Sequence, residues 1–81
     1  MEFPCQFPLK VIGLNRVEFE SIVLDLIRQH CAPDTRFEVK KNNSKKGKYL
    51  SLTITFTAHS RKQMDAIYQA LTDSEHVVMS L

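Results

Sequence analysis

Residues 49–58, YLSLTITFTA, alternate strictly between apolar side chains and side chains that carry a hydroxyl group. Successive side chains of a β-strand point to opposite faces of its sheet, so this pattern predicts a strand with one apolar and one polar face. The apolar face is formed by Leu50, Leu52, Ile54, Phe56 and Ala58, and the polar face by Tyr49, Ser51, Thr53, Thr55 and Thr57. This is the clearest strand pattern in the chain, and it is predicted to lie centrally in the sheet.

Three shorter segments also have the pattern of strands. FPLKVIG at 7–13 and TRFEVKK at 35–41 alternate, and HVVMSL at 76–81 predicts a short last strand. The residues predicted to point inward in the last two are Phe37, Val39, Val77, Met79 and Leu81. The chain therefore supplies four strands, of which all but the last are followed by a clear change of pattern.

Two segments between the strands have apolar residues at helical spacing. The first is predicted to begin at Asn15, with Glu18 completing a capping box, and its apolar stripe extends to His30. The second is predicted to begin at Ser60, with Gln63 three residues later. Two amphipathic helices need an apolar sheet face to cover, which accounts for the one-sided pattern of the central strand.

The order β-α-β-β-α-β predicts an α+β, ferredoxin-like fold. Right-handed connections give a four-stranded antiparallel sheet in the order 4-1-3-2, with two helices on one face. The chain has 81 residues and no linker or repeat, so residues 1–81 are expected to form a single domain.

The composition excludes several functional classes. The chain has 25% charged residues, a net charge of +2 and no apolar run of about 18 residues, so it does not predict a membrane span. The opening MEFPCQFPLK lacks the basic-then-apolar pattern of a secretion signal, which leads us to expect a cytoplasmic protein. In that compartment Cys5 and Cys31 are expected to be reduced thiols.

The most unusual local feature is a lysine-rich turn before the central strand. Five of the eleven basic residues are concentrated there, namely Lys40, Lys41, Lys45, Lys46 and Lys48. They are interpreted in three ways: as charges that keep a hairpin soluble and protect an edge strand, as a site for an acidic partner or small anion, or as a weak RNA-binding surface. RNA binding is not favoured, because Tyr49 is the one aromatic residue on the predicted outward face.

A second candidate site is the turn after the first strand, formed by Gly13, Leu14, Asn15 and Arg16. The topology places this turn beside the lysine-rich segment and the start of the first helix. Free backbone N–H groups at a helix start favour an anion, so a small anionic effector is predicted here.

The uncovered face of the sheet is a third candidate. Its predicted members include Lys10, Ile12, Tyr49, Ser51, Thr53 and Thr55. This mixed surface is either solvated or covered by another sheet, and the chain is expected to be a monomer or a homodimer.

No catalytic or metal-binding pattern is present. The topology gathers Cys5, His30, Cys31 and His59 at the opposite end of the molecule, but their spacing does not match a zinc site. The carboxylates are scattered and the chain has only two glycines, so neither paired acid–base chemistry nor a phosphate-binding loop is indicated. We expect no enzyme activity, no cofactor and no metal.

The opening EFPCQFPLKVIG resembles the YbeD-like family of small bacterial proteins, whose members begin roughly E-F-P-x-x-F-x-x-K-V-x-G. The matching residues are Glu2, Phe3, Pro4, Phe7, Lys10, Val11 and Gly13. The resemblance continues through HCAPD at 30–34 and a later set comprising Ser44, Lys46, Gly47, Tyr49, Ser51 and Ile54. It implies a free-standing domain similar to ACT-type regulatory domains, which commonly pair and bind small effectors near the turn after the first strand, and it brings no established activity.

Together these observations predict a non-catalytic, ACT-like regulatory or protein-interaction module that binds a small anionic effector or an acidic partner. The alternative is a weak, sequence-tolerant RNA-binding module that uses the hairpin at 40–48. Neither the partner nor the ligand is identified by the sequence.

Overall fold

The structure is a computed structural model that describes residues 2–44 and 46–81. Its elements, in chain order, are β1 (Cys5–Leu14), α1 (Phe19–Arg28), β2 (Glu38–Asn43), β3 (Tyr49–Ala58), α2 (Arg61–Thr72) and β4 (Val77–Ser80). The strands form one antiparallel sheet in the order β2-β3-β1-β4. The predicted ferredoxin-like arrangement is confirmed.

The hydrophobic core lies between one face of this sheet and the two helices. All five apolar side chains predicted to share one face of β3 are buried, together with Leu9 and Val11 of β1. The helices contribute Phe19, Val23, Ile27, Met64, Ile67 and Leu71. The opposite face of the sheet is left open. No helix of residues 2–44 and 46–81 is both long enough and apolar enough to span a membrane.

Strand β1 pairs with β3 along its whole length, from Cys5 opposite Ala58 to Leu14 opposite Tyr49. On its other edge, β1 pairs with β4 only in its C-terminal half, from Lys10 to Gly13. Lys10 and Leu81 exchange both backbone hydrogen bonds there. Backbone groups of every second residue in a strand point to the same edge. Because those of Lys10 point toward β4, the backbone of Pro8 points to the same edge, at a place that β4 does not cover. A proline has no N–H to offer there, which protects the free edge from pairing with another strand.

The prediction that Asn15 caps α1 is wrong. The helix begins at Phe19, and Glu18 at the cap position makes no side-chain capping hydrogen bond. Asn15 instead continues the pairing of β1 with β3, because its backbone N–H donates to the carbonyl oxygen of Lys48 at 2.9 Å. The helix also ends at Arg28, so His30 lies in the following turn and not on the apolar stripe.

The cap of α2 agrees with the prediction. The Ser60 hydroxyl accepts a hydrogen bond from the Gln63 N–H at 3.0 Å. The Gln63 side-chain oxygen accepts from the backbone N–H of His59 at 2.7 Å, one residue earlier than in the usual capping box.

Two strands differ from the prediction. Strand β2 runs from Glu38 to Asn43, so it begins three residues later and ends two residues later than the predicted strand 35–41, and it contains Lys40 and Lys41. In β4 the prediction that Met79 and Leu81 point inward is wrong: they are 50% and 62% exposed. The pairing of β1 with β4 shifts by one residue between Ile12 and Gly13, which leaves Val78 as a bulge. Because strand side chains alternate with period two, one extra residue moves Met79 and Leu81 to the open face.

Candidate functional site

The lysine-rich turn forms the tip of the hairpin between β2 and β3. The Ser44 N–H donates to the Tyr49 carbonyl oxygen at 3.0 Å, and the Gly47 N–H donates to the Ser44 carbonyl oxygen at 2.9 Å. Gly47 has a backbone φ of +69°, a left-handed conformation that favours glycine, and it allows the chain to reverse here. In this turn Lys46 and Lys48, on either side of Gly47, are exposed to solvent.

The four described lysines of this segment have different surroundings. Lys41 points to the helix side, where its Nζ lies 2.6 Å from Oε1 of Glu20 on α1. Lys40 opposes Thr53 and points to the open face. Lys46 and Lys48 are exposed near the tip, and the four of them make no ion pair other than that of Lys41 within residues 2–44 and 46–81. Lys45, the fifth lysine of this prediction, lies outside the described residues.

The turn after β1 is fastened to this hairpin. Asn15 donates from Nδ2 to the Gly47 carbonyl oxygen at 3.0 Å, so its side chain and its backbone N–H both bind the hairpin. Gly13 is buried, and a Cβ atom placed on it would collide with the Phe19 ring and the His76 carbonyl oxygen. Gly13 is therefore required for close packing of α1 on the sheet, and it leaves no space for a ligand at that position.

A shallow groove of about 230 Å³ lies beside this turn. Its lining residues are Leu14, Arg16, Glu18, Phe19, Glu75 and His76. The Arg16 guanidinium thus shares the groove with the carboxylates of Glu18 and Glu75, which oppose the binding of a small anion. Two of the four residues predicted for an effector, Leu14 and Arg16, line this groove, and Glu75 from the segment before β4 adds an acidic group that sequence reasoning did not place there.

The open face of the sheet is ordered into rows by the strand register. Lys40, Thr53 and Lys10 are neighbours on β2, β3 and β1. The next row contains Asn42, Ser51, Ile12 and Met79, and the row beyond it contains Tyr49 and Leu14. All six residues predicted for this face lie on it, and the bulge adds Met79 to them. The Lys48 Nζ lies 5.5 Å from the centre of the Tyr49 ring, which places a cation over the aromatic group of this face.

The largest cavity described was not predicted from the sequence. It measures about 520 Å³ and lies at the opposite end of the open face, below the loop between α1 and β2. Its polar lining includes Gln6, Asp34, Arg36, Thr57 and His59. Because β2 first pairs at Glu38 opposite Thr55, the end of β3 has β1 on one side and no strand on its β2 side, where the cleft lies. The sequence did not indicate this cleft, because the alternation of 35–41 predicts a strand that continues past the place where the cleft lies.

Two thiols and two imidazoles lie near this end of the sheet, those of Cys5, His30, Cys31 and His59. Cys5 and Cys31 are free and half-buried. Burial raises the pKa of the Cys31 thiol above its ordinary value, while a hydrogen bond from Gln63 Nε2 to its sulfur, at 3.6 Å, acts in the opposite direction. Among residues 2–44 and 46–81 no three His, Cys, Asp or Glu side chains are grouped so as to hold a metal ion.

Comparison with known proteins agrees with the resemblance seen in the sequence. The model of a family described as "Protein of unknown function (DUF493)" matches residues 1–81. The chain belongs to this family. Its relatives include a UPF0250 protein of Neisseria gonorrhoeae, 45% identical over 82 residues that cover 100% of this chain and 89% of the relative. A UPF0250 protein of Nitrosomonas europaea is 44% identical over 84 residues and covers 100% of this chain and 93% of the relative.

Solved structures confirm the fold of this DUF493 protein. The solution structure of protein HP0495 from H. pylori superposes with a TM-score of 0.78 at 23% identity, covering 100% of this chain and 85% of that one. The ACT domain from the GTP pyrophosphokinase of Chlorobium tepidum superposes with a TM-score of 0.65 at 13% identity, covering 96% of each chain. The expected YbeD-like membership and ACT-like fold are thus confirmed, and at these identities the structural likeness concerns the fold alone.

Proposed function

We propose that this protein is a non-catalytic interaction module whose lysine-rich hairpin binds an acidic surface of a partner protein. The supporting observation is the contrast among its lysines: Lys41 is held by Glu20, while Lys40, Lys46 and Lys48 are exposed and make no ion pair with the described residues. No carboxylate of residues 2–44 and 46–81 lies within ion-pair distance of these three lysines to neutralise their charge. Such a patch attracts a negatively charged partner and orients it during encounter.

The position of the hairpin also supports this proposal. Asn15 fixes the tip to the turn after β1, so the exposed lysines are presented from an anchored loop. An anchored loop loses less conformational entropy when a partner binds.

Two other predicted functions have less support. A small anionic effector at Gly13, Leu14, Asn15 and Arg16 stays a prediction, although Glu18 and Glu75 oppose it and Asn15 is already bound to Gly47. For RNA binding, the ring of Tyr49 is the available stacking platform on the open face, and Lys48 lies over it. Loss of one stacked base costs about 1–3 kcal/mol. No observation of the structure favours RNA over an acidic protein surface.

The proposal is tested by affinity capture from lysate of the bacterium that encodes the protein, with Lys46→Glu and a matched control. Lys62→Glu makes the same charge change at an exposed position of α2, away from the hairpin. We expect a partner that wild type and Lys62→Glu retain at low salt, that Lys46→Glu loses, and that nuclease treatment does not remove. Equal retention by Lys46→Glu and Lys62→Glu would contradict the proposal, and loss of the captured material after nuclease treatment would favour RNA.

The expected cytoplasmic location and the choice between monomer and homodimer also stay predictions. Cell fractionation and sedimentation velocity of the full chain test them separately.

A further inference from the structure

The open face combines two lysines with an apolar patch in adjacent rows. Lys10 and Lys40 stand on either side of Thr53, one strand away in each direction. Neighbouring strands are about 4.8 Å apart, so the two lysine Cα atoms are separated by about 10 Å. A carboxylate seated above Thr53 would lie between two ammonium groups and within reach of the threonine hydroxyl.

The apolar patch begins in the next row, on the side of β1 and β4. Its members are Ile12, Leu14, Tyr49 and Met79. Leu14, Tyr49 and Met79 are 37%, 36% and 50% exposed, and Ile12 is half-buried between them. Met79 belongs to this patch only because the bulge at Val78 moves it to the open face. Exposed apolar side chains that cluster on one face, bordered by polar groups, mark protein interaction sites.

We infer that this face docks a partner protein through a carboxylate held between Lys10 and Lys40 and an apolar side chain packed on Ile12 and Met79. The inference rests on the proposed interaction function and adds to it a second contact surface and the chemistry of the partner. Charge complementarity selects this occupant, because neither lysine makes an ion pair with the described residues. A buried or half-buried apolar contact supplies affinity, while the adjacent ion pairs fix the orientation of the partner.

A second copy of this chain is a poorer occupant of the same face. If two copies met about a twofold axis through the row that contains Lys10 and Lys40, this row would approach an identical row, and like charges repel. Glu38 also lies on this face, opposite Thr55 and one row from the lysines. Among the described residues it makes no ion pair with Lys10 or Lys40. Segment 77–81 of a second copy contains no acidic residue that could approach Lys10.

The experiment selects a phage-displayed library of random twelve-residue peptides against the immobilised full chain, and then measures the affinity of one enriched peptide by calorimetry. We expect enriched sequences with one or two acidic residues next to a large apolar residue. Charge reversal at an exposed ion pair is expected to weaken binding by about fivefold to tenfold in Lys10→Glu and in Lys40→Glu. Met79→Thr is expected to weaken it similarly, because it removes apolar contact area at an edge strand without adding charge.

The control variants separate this inference from the proposed hairpin function. Lys62→Glu reverses a charge on α2, outside both surfaces, and should change the affinity of the peptide by no more than about twofold. Lys46→Glu reverses a charge at the hairpin tip and measures the contribution of the hairpin separately. If Lys46→Glu abolishes binding and Lys10→Glu and Met79→Thr leave it unchanged, the hairpin function stands and the open-face inference is overturned. Enrichment of peptides without acids, or no enrichment at all, also overturns it.

Two further outcomes would assign the face to another occupant. A dimer in sedimentation velocity that Met79→Thr dissociates would show that a second copy covers it. Protection of the Ile12 and Thr53 amides by a twelve-nucleotide single-stranded RNA, in place of the peptide, would assign it to nucleic acid. Each of these results contradicts the inference.

Discussion

Asn15 donates a hydrogen bond of 3.0 Å from Nδ2 to the carbonyl oxygen of Gly47, thirty-two residues later in the chain. Its backbone N–H donates to the next residue of the hairpin, Lys48, at 2.9 Å. One residue thus joins the turn after β1 to the tip of the lysine-rich hairpin. Asn15 was predicted to begin the first helix, and it instead extends the pairing between β1 and the hairpin.

Replacing Asn15 by Ala is expected to lower the free energy of unfolding by about 0.5–1.5 kcal/mol, because one side-chain hydrogen bond is lost. The exchange rate of the Gly47 amide should rise as well, since the hairpin loses an anchor. Urea denaturation and amide hydrogen exchange measure the two effects. Asn42→Ala is the matched control, because the Asn42 side chain is exposed and makes no hydrogen bond with the described residues. Equal effects of the two variants would show that the bond to Gly47 does not anchor the hairpin.

Gly13→Ala is expected to destabilise the protein by about 1–3 kcal/mol, the usual cost of overpacking a filled site. The new methyl group would meet the Phe19 ring and the backbone of His76, so α1 or the start of β4 would have to move. Chemical denaturation gives the magnitude, and the Phe19 ring resonances report the displacement.

Gly47→Ala provides the comparison for Gly13→Ala. No atom lies within 4 Å of a Cβ placed on Gly47, so its cost should come from the left-handed backbone alone, about 1–2 kcal/mol. Gly47→Asn should recover part of this cost because asparagine tolerates that conformation. Gly13→Asn should recover none, and recovery there would mean that backbone conformation and not space selects glycine at position 13.

The arrangement of strands and helices could be predicted because it depends on hydrophobic periodicity, which is local. The alternation of 49–58 identified the buried face of β3 residue by residue, and Ser60 with Gln63 identified the start of α2. These features depend on side chains a few positions apart, which a sequence displays directly.

The errors arose where residues distant in sequence determine the structure. Asparagine is a residue type that often caps helices, but at position 15 the backbone hydrogen bond to Lys48 outweighs that preference. Met79 has the right spacing to point inward, but a one-residue bulge opposite Ile12 reverses it. The approach of Glu75 to Arg16 and the cleft beside Thr57 likewise depend on how loops pass each other in space. Periodicity does not report such contacts.

The ion pair between Lys41 and Glu20 should contribute little to stability. Both side chains are partly solvated, so Glu20→Gln is expected to cost less than about 1 kcal/mol, and the difference should shrink at high salt. Denaturation at low and high salt measures it. A loss well above that range, unchanged by salt, would contradict the description of this pair as a screened surface contact.

Gln63 connects three segments where α1 ends and α2 begins. It accepts from the His59 N–H, donates to the His30 carbonyl oxygen at 2.9 Å and contacts the Cys31 sulfur. Gln63→Leu is expected to cost about 1–2 kcal/mol, since the half-buried His30 carbonyl oxygen and the exposed His59 N–H lose their partner. Gln63→Glu keeps the acceptor for His59 and loses the donor to His30, so its cost at neutral pH should exceed that of Ser60→Ala, about 1 kcal/mol. Urea denaturation ranks the three variants, and a Gln63→Leu variant as stable as wild type would refute this role.

The stability of the protein should fall as the pH rises above 9, in part because of two half-buried groups. Burial raises the pKa of the Cys31 thiol and that of the Tyr68 hydroxyl above their ordinary values. When folding raises the pKa of a group, its contribution to stability is fully present at pH values below the pKa of the unfolded state. This contribution is lost as the pH rises through the pKa of the folded state. Unfolding free energies at several pH values above 9 should therefore decline less steeply in Cys31→Ala and in Tyr68→Phe than in wild type, while the decline due to lysines is common to all three. Parallel curves for the three proteins would show that burial of these groups does not affect the pH dependence of stability.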